Sequence, residues 1–270
     1  MIRLAVRVAR AEAEIALAEL LALVPAGVEE RDLGDTVEYA VYGAPGELPA
    51  LGAVRAAAGD ALVEVRSEEV PDDWDERWKA FHRPVVVGGG RLRVRPPWSP
   101  AQEGADELVI DPGQAFGTGA HATTRLCLEL LLELEPAGGL VDLGSGSGVL
   151  AIAAARLGFA PVLAVDHERE AIEATQANAR ANGAAVEARR FDLLRDGPAP
   201  SAATVCANLL RPLLLHLAAA RLAGGPPRTL VASGLLGEEA DEVAAAFASG
   251  GLREIARREA EGWVALRLER

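Results

Sequence analysis

Apolar and polar side chains alternate from Ile2 to Val8 (IRLAVRV), the period of a half-buried strand. From Arg10 to Val24 the period lengthens: Ile15, Ala16, Leu20 and Leu23 recur at helical spacing until Pro25-Ala26-Gly27 ends the run. Val28 to Leu33 and Thr36 to Tyr42 read as two strands around Gly34-Asp35, a hairpin signal. Pro45 to Ala58 predicts a second helix, closed by Gly59, and Ala61 to Val65 a fourth strand. The order β-α-β-β-α-β is the split, ferredoxin-like pattern. Substrate recognition or presentation is the role expected of it, although such a fold serves many functions.

Asp72 to Phe81 (DDWDERWKAF) predicts a short amphipathic helix with Trp74 and Trp78 on one face, suited to packing two domains together. Val85 to Val94 gives two short strands around Gly88-Gly89-Gly90, and Pro96-Pro97-Trp98 leads into a polar loop. From Glu107 onward strands alternate with helices. The strand-like runs are Leu140 to Leu143, Pro161 to Asp166, Val186 to Asp192, Ala203 to Asn208 and Thr229 to Gly234. Helical stretches follow at Val149 to Leu157, Glu168 to Ala181, a weaker one after Asp192, Leu210 to Leu222, and Glu238 to Ala248. This alternation predicts a doubly wound, Rossmann-like α/β sheet, mostly parallel, with helices on both faces. Leu252 to Glu259 and Gly262 to Leu268 are expected to close its edge antiparallel. The expected organisation is therefore a ferredoxin-like α+β domain over 1–66, a linker helix and connector over 67–105, and the Rossmann-like domain over 106–270.

Composition narrows the function. Of the 270 residues 50% are hydrophobic and 25% charged, the balance of a soluble globular protein. No apolar run reaches the roughly 18 residues that span a bilayer, and the acidic, amphipathic start MIRLAVRVARAEAE is unlike a secretory signal. The cytoplasm is the expected location, with no membrane partner. The formal charge of −13 argues against direct nucleic-acid binding and fits a basic, lysine-rich protein partner, although acidity also serves solubility. Cys127 and Cys206 each sit in an apolar run, and His82, His121, His167 and His216 show no ligand spacing. No metal site is expected.

The sharpest local signal is LVDLGSGSGVLAIAAARLG. A strand ends at Asp142-Leu143, the turn holds Gly144, Gly146 and Gly148, and a helix opens at once. Such a turn lets backbone approach a ligand closely and aims helix amides at it. Eighteen residues past Gly148 stands Asp166, at the end of the next strand, where a carboxylate accepts two ribose hydroxyls. A nicotinamide-dinucleotide site shares both devices but follows Gly-x-Gly-x-x-Gly, and its third glycine is Val149 here. Asp142 would also repel a pyrophosphate, whereas it suits the cationic amino group of S-adenosyl-L-methionine. A purely structural glycine turn is the remaining alternative, and the spaced Asp166 weighs against it.

Upstream, IDPGQAFGTGAHATTRLCLELL opens into an apolar helix. It reads either as a loop with Thr123 or Thr124 capping the helix, or as a lid over the donor. In the lid reading Gly117 and Gly119 give hinge freedom, Phe116 and His121 face the donor, and Thr124 or a loop amide holds it. Asn208, at the end of the fourth strand of the sheet, would face the reacting methyl and orient an amine. A polar residue at a strand end is also common without function.

Together DDWDERWKAF, PPW, DPGQAFGTGAHATT, VDLGSGSGVLAIAAARLG, ANLL and SGLL resemble the bacterial ribosomal protein L11 methyltransferases over about residues 70 to 268, in the same order. The resemblance implies an S-adenosyl-L-methionine-dependent enzyme that methylates lysine side chains and the N-terminal amine of that ribosomal protein. It also implies Thr124, Gly144, Asp166 and Asn208 as donor contacts; Asp142, Gly146, Phe116, Gly117 and His121 are further expected contacts, and Asn208 is the expected catalytic residue. Ser145 stands where the family usually has cysteine, Ala122 replaces a proline, and His167-Glu168 replaces an acidic pair. A methyltransferase of the same fold with a different protein or small-molecule amine as acceptor keeps the same donor site. A non-catalytic nucleoside-binding module would not need Asp166, Asn208 and the lid together.

Overall fold

The computed structural model describes residues 2–13, 16–17, 20, 29–43, 48–49, 51–69, 83–111, 121–220 and 222–270. The helix expected over Asp72 to Phe81, and the segment with Phe116, Gly117 and Gly119, lie outside the described residues. Two compact units separate at Ala80 and Phe81.

In the first unit β1 (Ile2–Ala9), β2 (Glu29–Asp32), β3 (Thr36–Gly43) and β4 (Leu62–Glu69) form an antiparallel sheet in the order β2-β3-β1-β4. The alternation in β1 sends Leu4, Val6 and Val8 to a core with Tyr39, Val54 and Leu20. The intervening Arg3 and Arg7 lie on the opposite face and pair with Glu38 at 2.6 and 3.2 Å. Ala13, Ala16, Leu17 and Leu20 are helical. The second helix, α1 (Leu51–Ala58), begins later than the pattern from Pro45 predicts. Leu48 is non-helical because the ring of Pro49 disfavours the α conformation in the residue before it.

In the second unit β5 (Val85–Val87) and β6 (Leu92–Arg95) pair antiparallel, and β7 (Glu107–Val109) adds to β6 in parallel. The main sheet comprises β8 (Leu140–Leu143), β9 (Val162–Asp166), β10 (Val186–Arg190), β11 (Thr204–Asn208), β12 (Thr229–Leu236), β13 (Arg253–Ala260) and β14 (Trp263–Glu269). Its order is β10-β9-β8-β11-β12-β14-β13, parallel from β10 to β12 and antiparallel at β14 and β13. Helices α2 (Ala122–Leu132), α3 (Val149–Leu157) and α4 (Arg169–Ala181) share one apolar layer; α5 (Arg211–Ala219) and α6 (Ala240–Ser249) share the other. The strands alternate between them: Leu140 and Cys206 join the first layer, Val141, Leu143, Val205 and Ala207 the second. Burial on both faces explains why these strands read as continuous apolar runs. Among the described residues no helix is long and apolar enough to cross a membrane.

One expected element is missing. The weak helix after β10 does not form, and residues 191–203 run as turns. Asp192 accepts the amide of Leu194 at 2.9 Å, and Gly197, Pro198 and Pro200 break helix formation beyond it. The chain thus stays at the carboxyl end of the sheet, with Leu194 61% exposed.

Leu131 of α2 is fully buried in the first layer. Leu131→Ala should lower unfolding free energy by about 2–5 kcal/mol, read as a shift of the urea midpoint at unchanged m-value. A shift below about 0.5 kcal/mol would mean that α2 is not clamped as described.

Candidate functional site

The sheet reverses its order between β8 and β11, and ligands bind outside the carboxyl ends of strands at such a switch point. Leu143, Val165 and Ala207 stand level in the parallel register, so the residues that follow them meet in one place. After β8 the chain turns through Gly144 at φ +76°. That φ suits glycine, and a Cβ there would also lie 2.4 Å from Leu209 Cδ2, at the end of that side chain. Gly234, at the register shift within β12, presses on the same residue: its Cβ would lie 2.3 Å from the Leu209 carbonyl oxygen.

The turn's amides are engaged within the protein. Gly144 and Ser145 N–H donate to the Val165 carbonyl at 2.8 and 3.0 Å, and Gly148 N–H to the Ser145 carbonyl at 2.8 Å. Gly146 N–H donates to Asp166 Oδ2 at 3.0 Å, and Glu168 N–H to Oδ1 at 3.1 Å. The amides of Gly144, Ser145, Gly146 and Gly148 are therefore not free to form an anion cradle. Each Asp166 oxygen retains lone-pair capacity after one amide bond, so the carboxylate is held rigidly while it can still accept hydroxyls.

A hollow of about 670 Å³ opens over these strand ends, within the size range of small-molecule sites. Of the residues expected to touch a donor, Gly144, Gly146, Asp166, Asn208 and His121 line it. Phe116 and Gly117 lie outside the described residues. Thr124 is buried and is not among the residues that line the hollow.

Asp142 does not line it either. Strand alternation turns its side chain beneath α3, where Oδ2 accepts the Ala151 amide at 3.2 Å and Oδ1 has no partner among the described residues. Asp142 is 1% exposed. Burial pushes its pKa up to about 7; the Ala151 amide opposes that rise and the charge of Asp166 adds to it. A carboxyl so placed braces the helix start rather than meeting a ligand's ammonium group.

The N-cap of α2 is His121, not Thr123 or Thr124. Its Nδ1 accepts the Thr123 amide at 3.4 Å and lies 2.8 Å from Thr123 Oγ1. Desolvation and the nearby charge of Arg125 lower the His121 pKa, against a smaller opposing pull from Glu261. A neutral ring with its proton on Nε2 fits both facts. The Thr123 hydroxyl then donates to Nδ1 and accepts from Asn208 Nδ2 at 3.2 Å; the second Nδ2 proton reaches Thr124 Oγ1 at 3.5 Å. With its nitrogen committed to the threonines, Asn208 keeps Oδ1 as the atom available to a ligand. Trp263 packs edge-on against His121, with ring centroids 4.9 Å apart, and lines the same hollow.

Sequence reasoning did not single out Trp263, Phe191, Asp192 or Leu194 as lining residues. For Phe191 to Leu194 a signal existed, since they follow the carboxyl end of β10. For Trp263 there was none, because it reaches the hollow only through the antiparallel insertion of β14 beside β12.

A family model described as ribosomal protein L11 methyltransferase (PrmA) matches residues 50–270. The ribosomal protein L11 methyltransferase of Symbiobacterium thermophilum is 39% identical over 201 residues, 72% of this chain and 65% of that protein. That of Azotobacter vinelandii is 40% identical over 249 residues, 87% of this chain and 84% of the relative. The chain spans 65% of the length of the Symbiobacterium relative and of the one from Pelotomaculum thermopropionicum. The crystal structure of a ribosomal protein L11 methylase from Lactobacillus delbrueckii subsp. bulgaricus aligns with a TM-score of 0.58 at 28% identity, over 70% of this chain and 99% of that one.

The burial of Asp142 has a pH signature. Its folded pKa of about 7 lies above the ordinary 3.8, so the folded chain keeps a proton that the unfolded chain releases. Stability from this group therefore declines as pH rises between those values and levels off above about 7. In ligand-free protein the parent's Tm should fall relative to Asp142→Asn between about pH 5 and pH 8. Melting curves that stay parallel across that range would contradict the buried setting.

Proposed function

The chain belongs to the ribosomal protein L11 methyltransferase family, and from that membership we propose that it transfers methyl groups from S-adenosyl-L-methionine to ribosomal protein L11. The acceptors are lysine side chains and the N-terminal amine. The observation that carries this reading is the pairing of Asp166 and Asn208 on the strands flanking β8, both facing one hollow. Two strand spacings put them roughly 10 Å apart, a separation that suits a sugar at one and the reacting methyl at the other. The residues present fit such a donor. Gly144 leaves no Cβ in its way, Asp166 offers two oxygens to a ribose, and the engaged turn amides suit a nucleoside without phosphate.

When bound, the donor supplies an electrophilic methyl group on a sulfonium. The protein's part is to deliver a neutral amine in line with it, so positioning supplies much of the acceleration. Asn208 Oδ1 accepts an N–H of the incoming amine and turns the nitrogen lone pair toward the methyl. A lysine of ordinary pKa about 10.4 costs roughly 4–5 kcal/mol to deprotonate at pH 7. The apolar side chains of Leu209, Leu210 and Trp263 along the hollow reduce that cost by desolvation. His121 Nδ1 is committed to Thr123, so the amine's proton leaves to water before entry. The first unit is assigned to substrate recognition, and the net charge of −13 favours a basic, lysine-rich partner over nucleic acid. The cytoplasm is the compartment that matches a ribosomal substrate.

Incubation with methyl-labelled donor and a ribosomal protein extract tests the acceptor: one labelled band at L11 supports the proposal, whereas labelling elsewhere or none overturns it. Asn208→Ala should lower kcat roughly 10–100-fold while calorimetry shows nearly parental donor affinity; full turnover would remove its orienting role. Asp166→Ala should weaken donor binding on the order of 10–100-fold, measured with S-adenosylhomocysteine, and unchanged affinity would dismiss the sugar contact.

A further inference from the structure

The buried face of α4 consists of Ala171, Thr175, Asn178 and Ala179. A helix facing a core normally presents an apolar stripe, and burying polar groups costs free energy unless they are bonded. Thr175 is 0% exposed and Asn178 3% exposed, and both side chains are bonded to the glycine turn. Thr175 Oγ1 donates to the Gly146 carbonyl at 3.1 Å. Its single proton is thereby used, so the 3.1 Å contact between Ser145 Oγ and Thr175 Oγ1 has serine as donor. Asn178 Nδ2 donates to the Ser147 carbonyl at 2.9 Å and the Asp111 carbonyl at 3.2 Å, while its Oδ1 accepts the Asp111 amide at 2.9 Å. The contact is close enough that a Cβ on Gly148 would lie 2.9 Å from Thr175 Oγ1.

We propose that Thr175 and Asn178 are positioning residues for methyl-donor binding, an inference that rests on the donor reading above. They draw the carbonyls of Gly146 and Ser147 outward onto α4. The turn is thereby fixed in the orientation that presents Gly146 N–H to Asp166 Oδ2, which in turn aims the sugar-binding carboxylate. Without the two clamps those carbonyls are free to rotate, and the carboxylate loses the amide that orients it. Asn182, one turn further along α4, is the internal control. Its side chain accepts the Val109 amide at 2.8 Å and donates to the carbonyls of Val109 at 2.7 Å and Asn178 at 2.8 Å, none of them in the glycine turn.

Thr175→Val removes the hydroxyl with little change of shape, and Thr175→Ser restores it. By calorimetry with S-adenosylhomocysteine, Thr175→Val and Asn178→Ala should each raise Kd roughly tenfold, the factor that 1.4 kcal/mol produces. Thr175→Ser and Asn182→Ala should stay within about twofold of the parent. At saturating donor kcat should remain near the parental value, so the loss appears in the donor KM. Parental affinity in Thr175→Val, or a Kd rise in Asn182→Ala as large as in Asn178→Ala, overturns the positioning role and leaves the donor site standing. If the parent itself binds no S-adenosylhomocysteine, both readings fall. Should Asn178→Ala fail to fold, the Thr175 pair decides the matter.

Discussion

Leu209 is wedged between two backbones that carry no side chain where they meet it. Gly144 approaches its Cδ2 methyl from the β8 turn, and Gly234 approaches its peptide from within β12. Its own amide donates to the Ser233 carbonyl at 2.9 Å, continuing the ladder one residue beyond the strand. The position of Asn208, the residue before it, is therefore fixed by two strands at once. This close approach sets how far the strand ends stand from one another, and hence the size of the hollow above them. A methyl group at Gly234 would meet the Leu209 backbone and force it to shift beside Asn208, whereas one at Gly144 would meet only the end of the Leu209 side chain.

The polar accounting around the hollow has a direction. The turn amides go to Val165 and Asp166, the outward carbonyls go to α4, and the Asp142 carboxyl goes beneath α3. What remains for a ligand is acceptor capacity, on Asp166 and on Asn208 Oδ1, set among apolar side chains. Such a surface suits a hydroxyl-rich, positively charged nucleoside and an amine. It is poorly matched to a pyrophosphate, which needs free amides or cations. The distinction between two ligand classes that share a glycine-rich turn thus lies in where the backbone donors point, and glycine spacing is only its outward sign.

Much of this was legible in the chain. The strands of the main sheet and their alternation with helices followed from apolar runs bounded by turns, with Asp166 and Asn208 at the ends of runs and Gly144 just after one. Misreadings arose where long-range packing overrode local pattern. Thr123 and Thr124 are good helix caps by type, yet His121 takes that role because the threonine hydroxyls are needed to hold Asn208. Asp142 lies two residues from a ligand turn, yet its side chain is buried beneath α3 on the Ala151 amide and does not reach the hollow. The helix expected after β10 had apolar residues enough, but the Asp192 turn and two prolines kept the segment at the hollow's rim. Strand β7 is too short to show a period, and the side chains of Asn178 and Asn182 complete what the ladder leaves open at Asp111 and Val109.

The proton count along His121, Thr123 and Asn208 finally constrains the chemistry. Thr123 N–H enters His121 Nδ1, so that nitrogen carries a lone pair and the threonine hydroxyl must donate to it. The hydroxyl oxygen is then an acceptor, and Asn208 can meet it only with its NH₂ group. The amide orientation at Asn208 is thereby determined by a backbone N–H three bonds away in the network, a group that does not titrate. Asn208 presents a carbonyl oxygen as long as His121 stays neutral, which its desolvation and Arg125 favour. An acceptor atom at that point selects a ligand that brings its own N–H, and excludes one that brings only oxygen lone pairs.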